Sequence, residues 1–252
     1  MSNSNDNQAP TFHYRFKLSN GTVRDFEIRL DPKTNNVVAR PPDEPLPEWT
    51  RLSYHQCSNC PLKESESPRC PVAVNLVDVM EAFNDCLSYD VAEVEIFAAV
   101  QMQKWGKTVT LAEGIRSIMG LYMAASACPI LDRLKPLART HLPFATWDES
   151  AFRVLGTYLL AQHFIAVKGG QPDWEMRHLV AFYQQVKLVN RAFIQRLRAF
   201  CKQDAPLNAI AELDNLADMT SLLIREESLD SLQQSLTNYF RAEQLKAAGT
   251  KA

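Results

Sequence analysis

The sequence predicts a mainly helical α+β fold: an N-terminal antiparallel β-meander, then a multi-helix body that ends in a helical hairpin. Three observations predict it. Apolar and polar residues alternate from Phe12 to Leu18, the period of a strand with one packed and one solvated face. From residue 71 onward most apolar residues recur at helical spacing. Two capping-box patterns, Thr110-Leu-Ala-Glu113 and Thr146-Trp-Asp-Glu149, mark helix starts.

Taken in order, residues 1–10 are expected to be a disordered leader. After the first strand, Asn20-Gly21 signals a hairpin, and Val23, Phe26, Ile28 and Leu30 belong to the returning strand. Asp31–Asn35 is a second turn, and Val37-Val38 is expected to begin a third strand. Pro41, Pro42, Pro45 and Pro47 stiffen a connector whose far end Trp49 and Leu52 anchor in the core. Pro71–Asp85 reads as one helix. Residues 92–110 read as a strand pair turning at Lys104–Lys107, and a helix follows from Thr110 to about Ala127. Pro129–Arg139 is a short helix that Pro136 kinks or shortens. A long helix from Thr146 closes at Gly169-Gly170, and another runs from Pro172 to Cys201. The stripes Leu207, Ile210, Leu213, Leu216 and Leu229, Leu232, Leu236, Phe240 predict an antiparallel hairpin joined near Glu226–Ser228 and ending near Leu245. The expected organisation is a leader (1–10), meander and connector (11–48), a cysteine-bearing helical body (49–202) and the hairpin (203–252).

Composition narrows the function classes. With 252 residues, 46% hydrophobic content and a formal net charge of −2, the chain has globular character and no global attraction to nucleic acid or acidic membranes. It carries no signal-peptide pattern and no apolar run long enough for a membrane helix. A cytoplasmic protein is expected, so clustered cysteines point to metal binding or catalysis rather than disulfides. The expected partner is another protein, or a second copy through the C-terminal helices.

The chemistry concentrates between Tyr54 and Val74. Cys57-Ser-Asn-Cys60 has the spacing that lets two thiolates meet one ion, and Cys70 follows ten residues later. Cys128 is the expected fourth ligand, with His55 and His141 as alternatives. Cys60, Cys70 and Cys128 each precede a proline, which favours the first position of a helix. Cys70 and Cys128 are therefore expected at helix N-termini, where backbone N–H groups favour a thiolate. Zinc suits the short Cys57/Cys60 turn in a polar loop, and an iron–sulfur cluster is the alternative cofactor. A thiol redox pair is a third reading. Cys86 and Cys201 read as ordinary buried cysteines. His163 and His178 read as exposed or locally satisfied, His141 as a structural residue, and Arg191, Arg196 and Arg198 as a solvated helix face.

The segments Trp49-Thr50, Cys57-Ser-Asn-Cys60-Pro-Leu, Cys70-Pro-Val-Ala-Val-Asn-Leu, Cys128-Pro-Ile-Leu-Asp, His141-Leu-Pro-Phe-Ala-Thr and Pro172-Asp-Trp174 resemble those of a bacterial family of unknown function. The resemblance implies a shared architecture and a bacterial cytoplasmic setting, and it brings no activity. The expected function is a non-enzymatic zinc-binding protein with a structural cysteine cluster and a regulatory or adaptor role. The alternative is a thiol-based redox sensor or iron–sulfur protein.

Overall fold

The structure is a computed structural model that describes residues 9–38, 45–225 and 229–241. Strands β1 (Thr11–Leu18) and β2 (Val23–Arg29) form the expected hairpin, with Gly21 at φ +85° in the turn. That left-handed conformation carries no penalty for glycine. Val37 makes only an isolated bridge to Leu30, so the expected third strand of the meander does not extend. Strand β2 is left as an edge, and the other side of β1 is paired by β3 (Val91–Ala98), which pairs in turn with β4 (Gln103–Thr110). The sheet order is β2-β1-β3-β4, all antiparallel.

The register from Val91↔Thr110 to Ala98↔Gln103 puts the β3–β4 turn at residues 99–102. Trp105 and Gly106, expected in the turn, lie in the ladder opposite Ile96 and Glu95. Alternation decides which face is packed. Phe12, Tyr14, Phe16, Ala92, Val94, Ile96 and Ala98 are buried, whereas His13, Arg15 and Lys17 are exposed.

The chain separates into two compact units. The first comprises residues 1–144 and 184–217, the second 145–183 and 218–252. In the first, α3 (Leu111–Ala124) lies on the packed face of the sheet. Gly114 permits the approach: a Cβ there would fall 2.8 Å from Phe16 Cε1. The Thr110 hydroxyl caps α3 by accepting from the Glu113 N–H at 3.3 Å. The Glu113 carboxylate turns to Lys107 at 2.8 Å, so only half of that capping box forms.

The helix expected over 71–85 is two helices, α1 (Pro71–Asn75) and α2 (Val77–Phe83), divided at the fully buried Leu76. After α3, a 3₁₀ turn at Leu131–Leu134 leads into α4 (Lys135–Arg139). Pro136 sits in the first turn of α4, where its missing N–H has no helical partner to lose, so it begins a helix instead of kinking one. The C-terminal half of α6 (Arg177–Arg198) and the first part of α7 (Ala205–Arg225) belong to this unit.

In the second unit α5 (Trp147–Val167) opens with a complete capping box between Thr146 and Glu149. The segment Pro172–Met176, expected to be helical, is a loop. Asp173 holds it, accepting from the Tyr158 hydroxyl and the His178 N–H, each at 2.7 Å. Helix α8 (Asp230–Ser235) buries no residue, and Leu236 and Phe240 of its expected stripe are exposed. The hairpin connection at 226–228 and Leu245 lie outside the described residues. No helix among the described residues is long and apolar enough to cross a membrane.

Candidate metal centre

The site is built on a turn at the end of the proline-rich connector. Trp49 and Thr50, both buried, form a 3₁₀ turn with Glu48. The Thr50 hydroxyl donates to the Pro47 carbonyl at 2.6 Å. The returning chain joins it there: Leu52 N–H donates to the Pro68 carbonyl at 3.0 Å, and Cys70 N–H donates to the Thr50 carbonyl at 2.8 Å. The Arg69 guanidinium fastens the two strands, donating to the Pro47 carbonyl at 2.8 Å and the Thr50 hydroxyl at 2.7 Å. Residues 53–67 therefore form a loop closed at its base, and Cys57 and Cys60 lie within it.

Cys57 and Cys60 share a tight turn in which Cys60 N–H donates to the Cys57 carbonyl at 3.0 Å. Asn59 between them donates from its side chain to the carbonyl and the side-chain oxygen of Gln185 on α6, at 3.1 and 3.0 Å. Cys70 is the N-cap of α1, as its Cys-Pro step predicts. Cys128 lies between α3 and the 3₁₀ turn, and its carbonyl accepts from the Leu131 N–H at 3.1 Å. The 3₁₀ turn begins at Leu131 with Ile130 as its N-cap, so Cys128 stands two residues before the cap and not at the expected helix N-terminus; the nearby N–H groups of Leu131 and Ile130 still favour its charged form.

All four cysteines are half-buried free thiols. They lie within one another's electrostatic fields. Burial first, and then Cys70, Cys128 and Cys60, push the Cys57 thiol up to about 12, against the pull of Arg196. Burial likewise raises Cys128; the nearby Leu131 and Ile130 N–H groups oppose this, while Cys70 and Cys60 add to it. Segments separated by more than fifty residues are thus within electrostatic range of one another. Among the described residues, however, no three His, Cys, Asp or Glu side chains stand in an arrangement that could hold a metal ion.

Arg196 completes the site, and it corrects an expectation. Its helix face was expected to be solvated, yet Arg196 is 2% exposed. The guanidinium donates to the carbonyls of Trp49, Arg51 (2.7 Å) and Leu52 (3.4 Å) and lies 5.8 Å from the Tyr54 ring centroid. Cys70, Cys57, Tyr54 and Cys60 are the groups whose negative charge would stabilise it, in opposition to the burial that disfavours its charge. Its partners among the described residues include no carboxylate. A signal for it was present in the sequence. Arg196 stands three residues after Phe193 and seven after Val189, on the buried stripe of α6.

The alternative ligands have other surroundings. His141 Nε2 meets the buried Tyr14 hydroxyl at 2.5 Å, and that hydroxyl also lies 3.0 Å from Ser117 Oγ. Burial pushes the Tyr14 hydroxyl well up, so it stays protonated and can donate. His55 is exposed, at φ +49°, with its ring edge-on to Tyr54. The Cys86 sulfur accepts from Arg24 at 3.1 Å, and burial pushes Cys201 up to about 11.

A family model, the domain of unknown function DUF6901, matches residues 12–237, and the chain belongs to that family. No curated protein and no solved structure matches it.

Proposed function

We propose that this member of the DUF6901 family is a non-enzymatic metal-binding protein in which Cys57, Cys60, Cys70 and Cys128 hold a structural zinc ion as thiolates. The observation that carries the reading is the buried Arg196 guanidinium, faced by three of these thiols and by carbonyl dipoles. A buried charge without an opposite charge is costly. Neutral thiols leave Arg196 uncompensated, whereas four thiolates on a divalent ion carry a net charge of about −2, by the coordination chemistry of such sites. One unit of that excess is matched by Arg196, and the nearby Leu131 and Ile130 N–H groups favour charge on the Cys128 sulfur. Bound in this way, the ion would tie the closed loop 53–67, the start of α1 and the α3–α4 connection together. The protein would then serve a regulatory or adaptor role.

A single ion draws its four sulfurs to about 3.8 Å from one another, given a metal–sulfur distance of about 2.3 Å and tetrahedral geometry. Among the described residues no three such side chains stand in that arrangement, so closing on one ion would require the cysteine side chains to move. This favours one second reading, an iron–sulfur cluster, whose several irons accept thiolates that are spread more widely. The alternatives separate when protein purified anaerobically is analysed for metal. Zinc near one equivalent is expected. Its content should fall together with the melting temperature in Cys57→Ser, Cys70→Ser and Cys128→Ser, while Cys86→Ser changes neither. Brown protein containing iron and sulfide replaces zinc with the cluster. Metal-free protein with a readily oxidised thiol overturns both and leaves a redox switch.

A further inference from the structure

Helix α5 has two differently clothed sides. Ala151, Leu155 and Gln162 are buried within the second unit. Elsewhere on the helix, Glu149, Phe152, Gly156, Leu160, His163 and Val167 are all exposed, Phe152 and Leu160 by more than half. Their spacings of three, four, four, three and four residues place them in one straight stripe.

Gly156 at the centre of this stripe is the first clue to what covers it. Glycine inside a helix costs conformational entropy and is retained where a special backbone angle or a close approach requires it. Gly156 has no positive φ, and a Cβ built there meets nothing within 4 Å. Nothing within the described chain requires glycine at this place. A helix crossing from outside would.

The second clue is symmetry. Phe152 and Leu160 stand four residues before and after Gly156, and Glu149 and His163 stand seven before and after it. Reversing the helix direction about Gly156 therefore places each member of a pair opposite the other. The apolar pair meets apolar, and the carboxylate meets the imidazole. Glu149 is ionised, because the Thr146 backbone N–H and hydroxyl hold its carboxyl below the usual range. Antiparallel alignment also sets opposite ends of the two helix dipoles together.

We propose that α5 is a self-association surface, where a second copy of this chain packs antiparallel about a two-fold axis at Gly156. Phe152 of each copy then lies on Leu160 of the other, and Glu149 faces His163. Such an interface is isologous, so every contact occurs twice and the assembly closes at two copies.

Sedimentation velocity on the full-length protein, across micromolar concentrations, tests this. A mass of two chains is expected. Leu160→Glu should weaken association by about 100-fold, one tenfold loss at each of the two symmetric contacts, with helical circular dichroism unchanged. Phe152→Lys should act in the same way. Combining Phe152→Lys with Leu160→Glu should restore the dimer, since the new opposite charges face each other only across an antiparallel axis. Gly156→Gln adds bulk without charge and favours the helix, so it should give a folded monomer. Phe240→Ser, exposed but off the stripe, should leave the mass at two chains. A wild-type monomer at every concentration, or a dimer indifferent to Leu160→Glu, would overturn the proposal. Failure of the charge pair to restore association would overturn the antiparallel arrangement.

Discussion

Arg196 and Cys128 join parts of the chain that no local pattern connects. Arg196 reaches from α6 to the carbonyls of residues 49, 51 and 52, and Cys128, beyond α3, lies within electrostatic range of Cys57. If the guanidinium balances a thiolate centre, Arg196→Met should lower metal affinity by about 10- to 100-fold, the usual effect of losing a group that supports metal ligands. A competition titration against a chelator measures it. An unchanged affinity with a lowered melting temperature would make Arg196 a packing residue for the 49–52 turn alone. At this scale the cysteines were legible because the Cys57/Cys60 spacing and the Cys-Pro steps are chemical signatures in themselves. Arg196 was not, since an arginine reads as solvated unless the buried stripe through Val189 and Phe193 is extended to it. His141 was read as structural, and its hydrogen bond to Tyr14 supplies the partner that the sequence did not reveal.

Among the elements, α3 approaches the sheet closely at Gly114. Gly114→Ala would place a methyl group 2.8 Å from Phe16 and 3.2 Å from Val94, both buried side chains. A destabilisation of about 1–3 kcal/mol is expected, the usual cost of overpacking, and chemical denaturation reads it. The entry into α7 is secured differently. Asp204 accepts from the Ser88 N–H and hydroxyl, each at 2.8 Å, and from the Asn208 side chain at 2.9 Å. The Ser88 N–H is foremost in holding its carboxyl below the ordinary range. A lowered folded-state value means that this stability is present above the unfolded value of about 3.9 and is lost as pH falls through the folded one. Asp204→Asn should therefore cost about 1–2 kcal/mol at neutral pH, and the loss should shrink as pH falls below the unfolded value, which melting curves across acid pH would check. A constant loss at every pH would assign the effect to shape instead of charge.

The elements also divide what sequence can and cannot convey. Strand β1 and the start of α5 were legible because alternation and the Thr146–Glu149 box are local. The split of Pro71–Asp85 at Leu76 was not, because Leu76 suits a helix and only its burial places it at a break. The β3–β4 turn was misplaced because Trp105-Gly106 resembles a turn, while the register is decided by pairing along the whole strand.

For the whole molecule, the fold class follows from repeated local signals, but the order β2-β1-β3-β4 does not. It depends on β3 returning to β1 after two intervening helices, a long-range pairing with no local signature. The cysteine cluster lies wholly within the first unit, and the exposed α5 stripe lies within the second. The two proposals therefore make separate demands: loss of metal should not by itself abolish pairing through α5, and Leu160→Glu should not change metal content. The central claim is that four thiolates hold a metal centre, and X-ray absorption at the metal edge of anaerobically purified protein tests it most directly. The account predicts a first shell of four sulfur atoms, at about 2.3 Å for zinc, with one sulfur lost in Cys128→Ser. A shell made mainly of nitrogen or oxygen, or protein that binds no metal, would contradict it.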